Sequence, residues 1–289
     1  SRRRHTRCSR DWSSDVCSSD LKKENLVISG LLVFALTIVS CNSSNSDQQE
    51  GNPVEKQEAP PPFIGYSLVK TYPHDTGFFT EGLEFHDGDL LESSGGNEGE
   101  SPYPSAVGIA DLQSGKVSRK IELDKRIYFG EGITVIGNTL FQLTWKSGTG
   151  FLYDRKSFRK KGEFKIPSPE GWGLTHDSTH LILSDGSSSL YFLDPASFQI
   201  RNMLTVVDHN GPVGNLNELE YVNGFIYANR WQTPYILKIN AQTGKITGLL
   251  DFTPLVNEIH SKNPQADVLN GIAYHPGTKT FYKIGRAHV

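Results

Sequence analysis

Five short segments of similar make-up recur along this chain: "EGLEF" from Glu81, "EGITV" from Glu131, "GWGLT" from Gly171, "ELEYV" from Glu218 and "NGIAY" from Asn270. Their spacing of about 40 to 50 residues is the length of one propeller blade. A repeat of this kind constrains the fold strongly, because each unit is one module that cannot bury its apolar face without a neighbour. Between the segments lie short runs rich in Val, Ile, Leu, Tyr and Phe, broken by Gly, Asn, Asp and Pro turns and lacking long helical periodicity. From Phe63 onward the chain reads as all-β.

A second signal recurs out of phase with the first: "IADLQSGKV" from Ile109, "LYDRKSFRK" from Leu152, "FLDPASFQI" from Phe192 and "KINAQTGKI" from Lys238. Each has an Asp or Asn, preceded by an apolar pair in the first three and by Lys-Ile in the fourth, then a turn and a strand, the pattern of an outer hairpin in a four-stranded blade. A five-bladed β-propeller explains both phases, whereas a sandwich of this size would show strands with no fixed longer period. The first strand of each blade lines the central channel, so Glu81, Glu131, Trp172, Asn217 and Asn270 are expected to converge near one axis.

The first 62 residues do not share this pattern. Lys22 to Cys41, "KKENLVISGLLVFALTIVSC", has two lysines, an apolar run of signal-peptide length and small residues before a cysteine. Its end, Ile38-Val39-Ser40-Cys41, resembles a bacterial lipobox, which makes Cys41 the expected lipidation site of an exported lipoprotein anchored at the periplasmic or cell-surface face. Residues 42–62 are polar, acidic and proline-rich and read as a disordered tether. Residues 1–21 and 284–289 ("IGRAHV") both resemble translated sequencing-library adapter and are set apart from fold reasoning, which leaves 63–283 as the propeller domain. On that reading the last blade is cut short at the C-terminus. Cys8, Cys17 and Cys41 all fall before the domain, so thiolate catalysis and disulfides are excluded from it.

A net charge of −3 with mixed signs gives no electrostatic footprint for nucleic acid. The domain's seven histidines show no HxH or HExxH spacing, and neither GxSxG nor a phosphate-binding glycine loop is present, so no metal and no cofactor is expected. What remains is Glu131, flanked by glycines and an aromatic in "YFGEGITV", where partial desolvation would suit a general acid/base. Asn217 in "NLNELEY" is able to donate to a carbonyl oxygen as charge develops on it. Trp145, Trp172 and Trp231 stand in polar or Gly-rich contexts near strand ends, where indoles would wall a pocket for a small amphiphilic ligand.

With "FFTEGLEF", "LLESSG", "FGEGIT", "LTWK", "EGWGLT", "LSDGSS", "LNELEYVNGFIYANRWQT" and "LNGIAY" in order, the sequence from Tyr72 to Tyr282 resembles the plant and bacterial glutaminyl-peptide cyclotransferases. The resemblance implies a metal-free, five-bladed propeller that cyclises the N-terminal glutamine of peptides and proteins to pyroglutamate, releasing ammonia. It also implies a site of Phe79, Glu131, Trp145, Trp172, Asn217 and Trp231. Glu81 stands where the family usually has glutamine, and would add a carboxylate beside bound substrate. The family continues past Phe281 with a "TGK" turn whose lysine belongs to the site, and that segment is replaced here. The expected partners are peptides beginning with Gln, with no nucleic acid, a membrane touched by the lipid anchor alone, and a monomeric state. The alternatives are a non-catalytic propeller that binds peptides or glycans, since fold alone implies no function, and a metal-dependent lactonase-like propeller.

Overall fold

Each blade grows from the same local chemistry: tight turns at Gly and Asn reverse the chain, and β-branched and aromatic runs extend between them. The computed structural model of the protein describes residues 58–99 and 101–287. The expected signal segment, Cys41 and all but the end of the tether lie outside the described residues. At that end, the Leu249 N–H donates to the Pro62 carbonyl at 2.9 Å and the Ile64 N–H to the Leu249 carbonyl at 2.7 Å, so the chain enters the domain along a strand edge.

Four sheets have four strands each, antiparallel and in sequence order. The first holds β1 (Phe79–His86), β2 (Asp89–Gly95), β3 (Ala106–Ala110) and β4 (Val117–Glu122), and the second β5 (Gly130–Ile136), β6 (Thr139–Thr144), β7 (Thr149–Asp154) and β8 (Lys160–Lys165). The third holds β9 (Leu174–His176), β10 (Leu181–Ser184), β11 (Ser189–Leu193) and β12 (Ile200–Thr205). A small hairpin, β13 (Val207–Asp208) and β14 (Gly211–Pro212), precedes the fourth, which holds β15 (Leu216–Val222), β16 (Phe225–Arg230), β17 (Tyr235–Asn240) and β18 (Ile246–Asp251). A helix, α1 (Thr253–Lys262), leads to the fifth sheet, β19 (Ala266–His275) and β20 (Thr280–Ala287).

The first strands touch in a closed ring, β1 to β5 to β9 to β15 to β19 and back to β1, which is the propeller arrangement. The fifth sheet has two strands among the described residues. Its second strand runs on through residues that the sequence reading set apart, with Ile284 opposite Asn270 and Gly285 opposite Leu269.

The core is a series of wedges between consecutive blades. Leu91, Val107 and Ile121 meet Ile133, Val135 and Leu140; Phe141, Leu143 and Phe164 meet Leu174, Leu181 and Leu193; Ile182, Leu190 and Phe192 meet Leu216, Leu219 and Ile226. Each such side chain contributes about 2 kcal/mol by leaving water, so the ring is held by packing across blades as well as by hydrogen bonds within them. Inner strands are buried on both faces, as in β5, while outer strands such as β4 alternate buried and exposed residues.

The four predicted outer hairpins are present. Asp111, Asp154 and Asp194 each accept the backbone N–H of a serine three residues on, and Asn240 accepts that of Thr243. The helix α1 was not anticipated. Its Leu255, Val256 and Ile259 cover Ile236, Phe252, Leu269 and Ile272 between the fourth and fifth sheets.

Candidate active site

The five positions expected to converge occupy equivalent places on the ring. In four of the five inner strands the ladder slips where they stand: between Thr80 and Gly82, between Gly130 and Ile133, between Leu216 and Leu219, and between Asn270 and Ile272. These bulges turn Glu81, Glu131 and Asn217 out of regular alternation, a device that re-aims side chains at functional sites. In the third blade Trp172 comes just before β9, with its carbonyl accepting the Gly132 N–H at 2.8 Å. Glu81, Glu131, Asn217 and Asn270 are all buried.

The glycine of each motif allows this close approach. A Cβ on Gly132 would lie 2.5 Å from the Leu174 nitrogen and 2.7 Å from the Trp172 carbonyl oxygen, and one on Gly173 would lie 2.1 Å from the Asn217 carbonyl oxygen. Neighbouring blades therefore meet backbone to backbone beside the site. Where the fourth blade carries Glu218 instead of glycine, the carboxylate reaches the first and fifth blades and accepts the N–H groups of Leu83 (3.1 Å) and Ile272 (2.6 Å).

The indoles are organised by a residue that sequence reasoning did not single out. Trp145, after β6, and Trp172 both donate their Nε1–H to Glu170 Oε2, at 2.7 and 2.9 Å. Lys146 stands 3.7 Å from Glu170 Oε1 and also 3.7 Å from the centre of a Trp145 ring. Trp231, after β16, meets Trp172 edge to face at 5.4 Å, and Phe129 approaches Trp145 at 5.9 Å. The three tryptophans thus form one connected wall, while Phe79 opens β1, half-buried. Glu170 sits in the quoted "EGWGLT" motif, and that adjacency was the available signal.

Glu131 is held through its backbone. The Ser93 hydroxyl donates to the Glu131 carbonyl at 2.6 Å, Gln142 Nε2 donates to Ser93 Oγ at 3.2 Å, and Tyr153 donates to Gln142 Oε1 at 3.3 Å. Ser93 lies in the "LLESSG" motif, so the two motifs meet across β2 and β5. Asn270 Nδ2 donates to Glu81 Oε2 at 2.8 Å, which ties the first and fifth blades at the ring's closing point. The Asn217 carbonyl accepts the Ser184 hydroxyl at 2.7 Å.

Three further carboxyls also lie in the inner ring. Burial pushes Glu84 up to about 8, against the N–H bonds it accepts from Val135 and the charge of Arg155. Burial likewise raises Glu218, opposed by the Leu83 and Ile272 N–H groups and Lys283, and raises Glu220, helped by the charges of Glu84 and Glu218. Among the described residues, no three His, Cys, Asp or Glu side chains are grouped to hold a metal ion.

The class is that of a five-bladed propeller with carboxylate and carboxamide side chains on its inner strands and three indoles near the strand ends. The glutamine cyclotransferase family model matches residues 32–288. The chain is 38% identical over 221 residues to a glutaminyl-peptide cyclotransferase of Arabidopsis thaliana, covering 76% of this chain and 67% of that one. Its fold is similar to the crystal structure of Myxococcus xanthus glutaminyl cyclase, at a TM-score of 0.67 and 33% identity over 76% of this chain and 91% of the other. The chain belongs to the glutamine cyclotransferase family.

Proposed function

We propose that this chain converts the N-terminal glutamine of peptides and proteins to pyroglutamate by general acid/base catalysis without a metal ion. The observation that carries the reading is the placement of Glu131 and Asn217 at the bulges of β5 and β15, on either side of Trp172 just before β9, where the indole wall is fixed on Glu170.

The reaction is intramolecular. The neutral α-amine attacks the γ-carboxamide carbon, a C–N bond closes the five-membered lactam, and the original C–N bond breaks to release ammonia. Glu131 takes the proton that the amine loses and returns one to the departing nitrogen, so charge and protons balance over the cycle. Asn217 donates to the carboxamide oxygen as negative charge grows on it. Trp145, Trp172 and Trp231 enclose the side chain in its cyclising conformation and keep out the water that would give glutamate, while Phe79 and Glu81 border bound substrate.

The test is ammonia release from a Gln-Gly dipeptide with a chelator present. Turnover that survives chelation and is lost in Glu131→Gln supports the mechanism, and turnover abolished by the chelator overturns its metal-free character. Export as a monomeric lipoprotein anchored through Cys41 belongs to the same proposal. Labelling cells with a palmitate analogue reports it, with loss of label expected in Cys41→Ser.

A further inference from the structure

Beyond the indole wall lies a cavity of about 360 Å³, whose lining includes Glu98, Lys125, Ile127, Phe129, Trp145 and Lys146. Trp145 belongs to both places: its Nε1–H turns to Glu170, and its ring also borders this cavity. One side chain therefore borders both the indole wall and this cavity. The residues that follow an N-terminal glutamine need a path outward at about 3.3 Å each.

The chemistry of the lining is selective. Phe129, Trp145 and Ile127, the last 62% exposed, make an apolar floor. Three cations share the lining, unequally engaged. Arg126 is taken up by Asp124 through Nε at 2.9 Å, and Lys146 stands 3.7 Å from Glu170. Lys125 forms no ion pair among the described residues. Glu98 is the one acid among the described lining residues, and its backbone N–H donates to the Lys125 carbonyl at 3.0 Å, so the two loops are pinned together.

We propose that this cavity is the subsite for the residues following the N-terminal glutamine, and that it favours an apolar side chain next to glutamine and a carboxylate one residue further on. The inference rests on the cyclotransferase reading and adds substrate preference to it. The apolar side chain covers Phe129 and Ile127, and the carboxylate meets Lys125 with Lys146 behind it. A lysine at the same place meets two cations and one acid.

Steady-state kinetics with Gln-Gly, Gln-Phe-Glu and Gln-Phe-Lys test this on the wild-type chain and on Lys125→Glu. Wild type is expected to favour Gln-Phe-Glu over Gln-Phe-Lys by about fivefold in kcat/KM, the scale of a partly exposed ion pair. Lys125→Glu is expected to erase or reverse that ratio while turning over Gln-Gly within about twofold of wild type, which also shows that the variant folds. An unchanged ratio in Lys125→Glu, or no preference in wild type, overturns the subsite alone. No turnover of Gln-Gly by wild type overturns the catalytic reading and the subsite with it.

Discussion

Trp145 and Trp172 direct their indole N–H groups at a single oxygen, Glu170 Oε2, at 2.7 and 2.9 Å. One carboxylate thereby sets the orientation of two of the three rings in the wall. Replacing it with leucine strands two half-buried donors, at about 1–3 kcal/mol each. Glu170→Leu is expected to lower kcat/KM by about tenfold and to shift tryptophan emission. Glu170→Gln keeps an acceptor in place and is expected to recover most of both. Equal losses in the two variants would mean that charge, and not ring orientation, is what Glu170 supplies.

Ser93 gives a second handle on Glu131. Its hydroxyl links the Glu131 carbonyl to Gln142, so Ser93→Ala removes a donor from one and an acceptor from the other, both buried. A stability loss of about 1–3 kcal/mol is expected. Because the bulge carrying Glu131 loses its tether while the indole wall is untouched, kcat should fall with KM nearly constant. Denaturant titration and steady-state kinetics measure the two effects.

Gly173 lies where the third and fourth blades meet, and the atom that an added methyl would strike is the backbone oxygen of Asn217, at 2.1 Å. Backbone gives way less readily than a side-chain tip. Gly173→Ala is therefore expected to cost about 3 kcal/mol, the upper end of ordinary overpacking, and to displace Asn217. Chemical denaturation reads the first and the turnover of Gln-Gly the second.

The ring was legible because its physical requirement repeats. Every blade must bring an inner strand against its neighbour, and Gly82, Gly132, Gly173 and Gly271 mark those contacts in the motifs themselves. The Asx turns at Asp111, Asp154, Asp194 and Asn240 are local and were equally readable. The role of Glu170 was not, since nothing in "EGWGLT" says that its carboxylate reaches Trp145 in the preceding blade. α1 escaped because ten residues with three apolar side chains are too few to show a helical period against a β background. The inner-ring acids were hidden by a different cause. An acid on a strand is ordinarily read as facing water, but inner propeller strands have neighbours on both faces, so Glu84, Glu218 and Glu220 turn into the ring and bond the N–H groups of Val135, Ile272 and Tyr274.

Those buried acids make stability depend on pH in a direction opposite to that of an ordinary surface carboxylate. Glu84 titrates near 8 in the folded chain against 4.5 when free, so between these values the folded state holds a proton that the unfolded state has released. Its stabilising contribution is complete below about pH 4.5 and is lost as pH rises toward 8. The raised Glu218 and Glu220 act in the same sense. His176, 3.8 Å from Glu84 and held below the usual histidine range mainly by burial and then by His86, acts in the opposite sense at lower pH. Glu84→Gln fixes the protonated shape and keeps an oxygen for the Val135 N–H. The wild-type melting temperature is expected to drop between pH 5 and pH 8 by an amount reflecting a few kcal/mol. Glu84→Gln should flatten part of that fall and be the more stable protein at pH 8. Thermal melts of both proteins across this range measure the difference, and parallel curves would place the titrating carboxyl elsewhere in the ring.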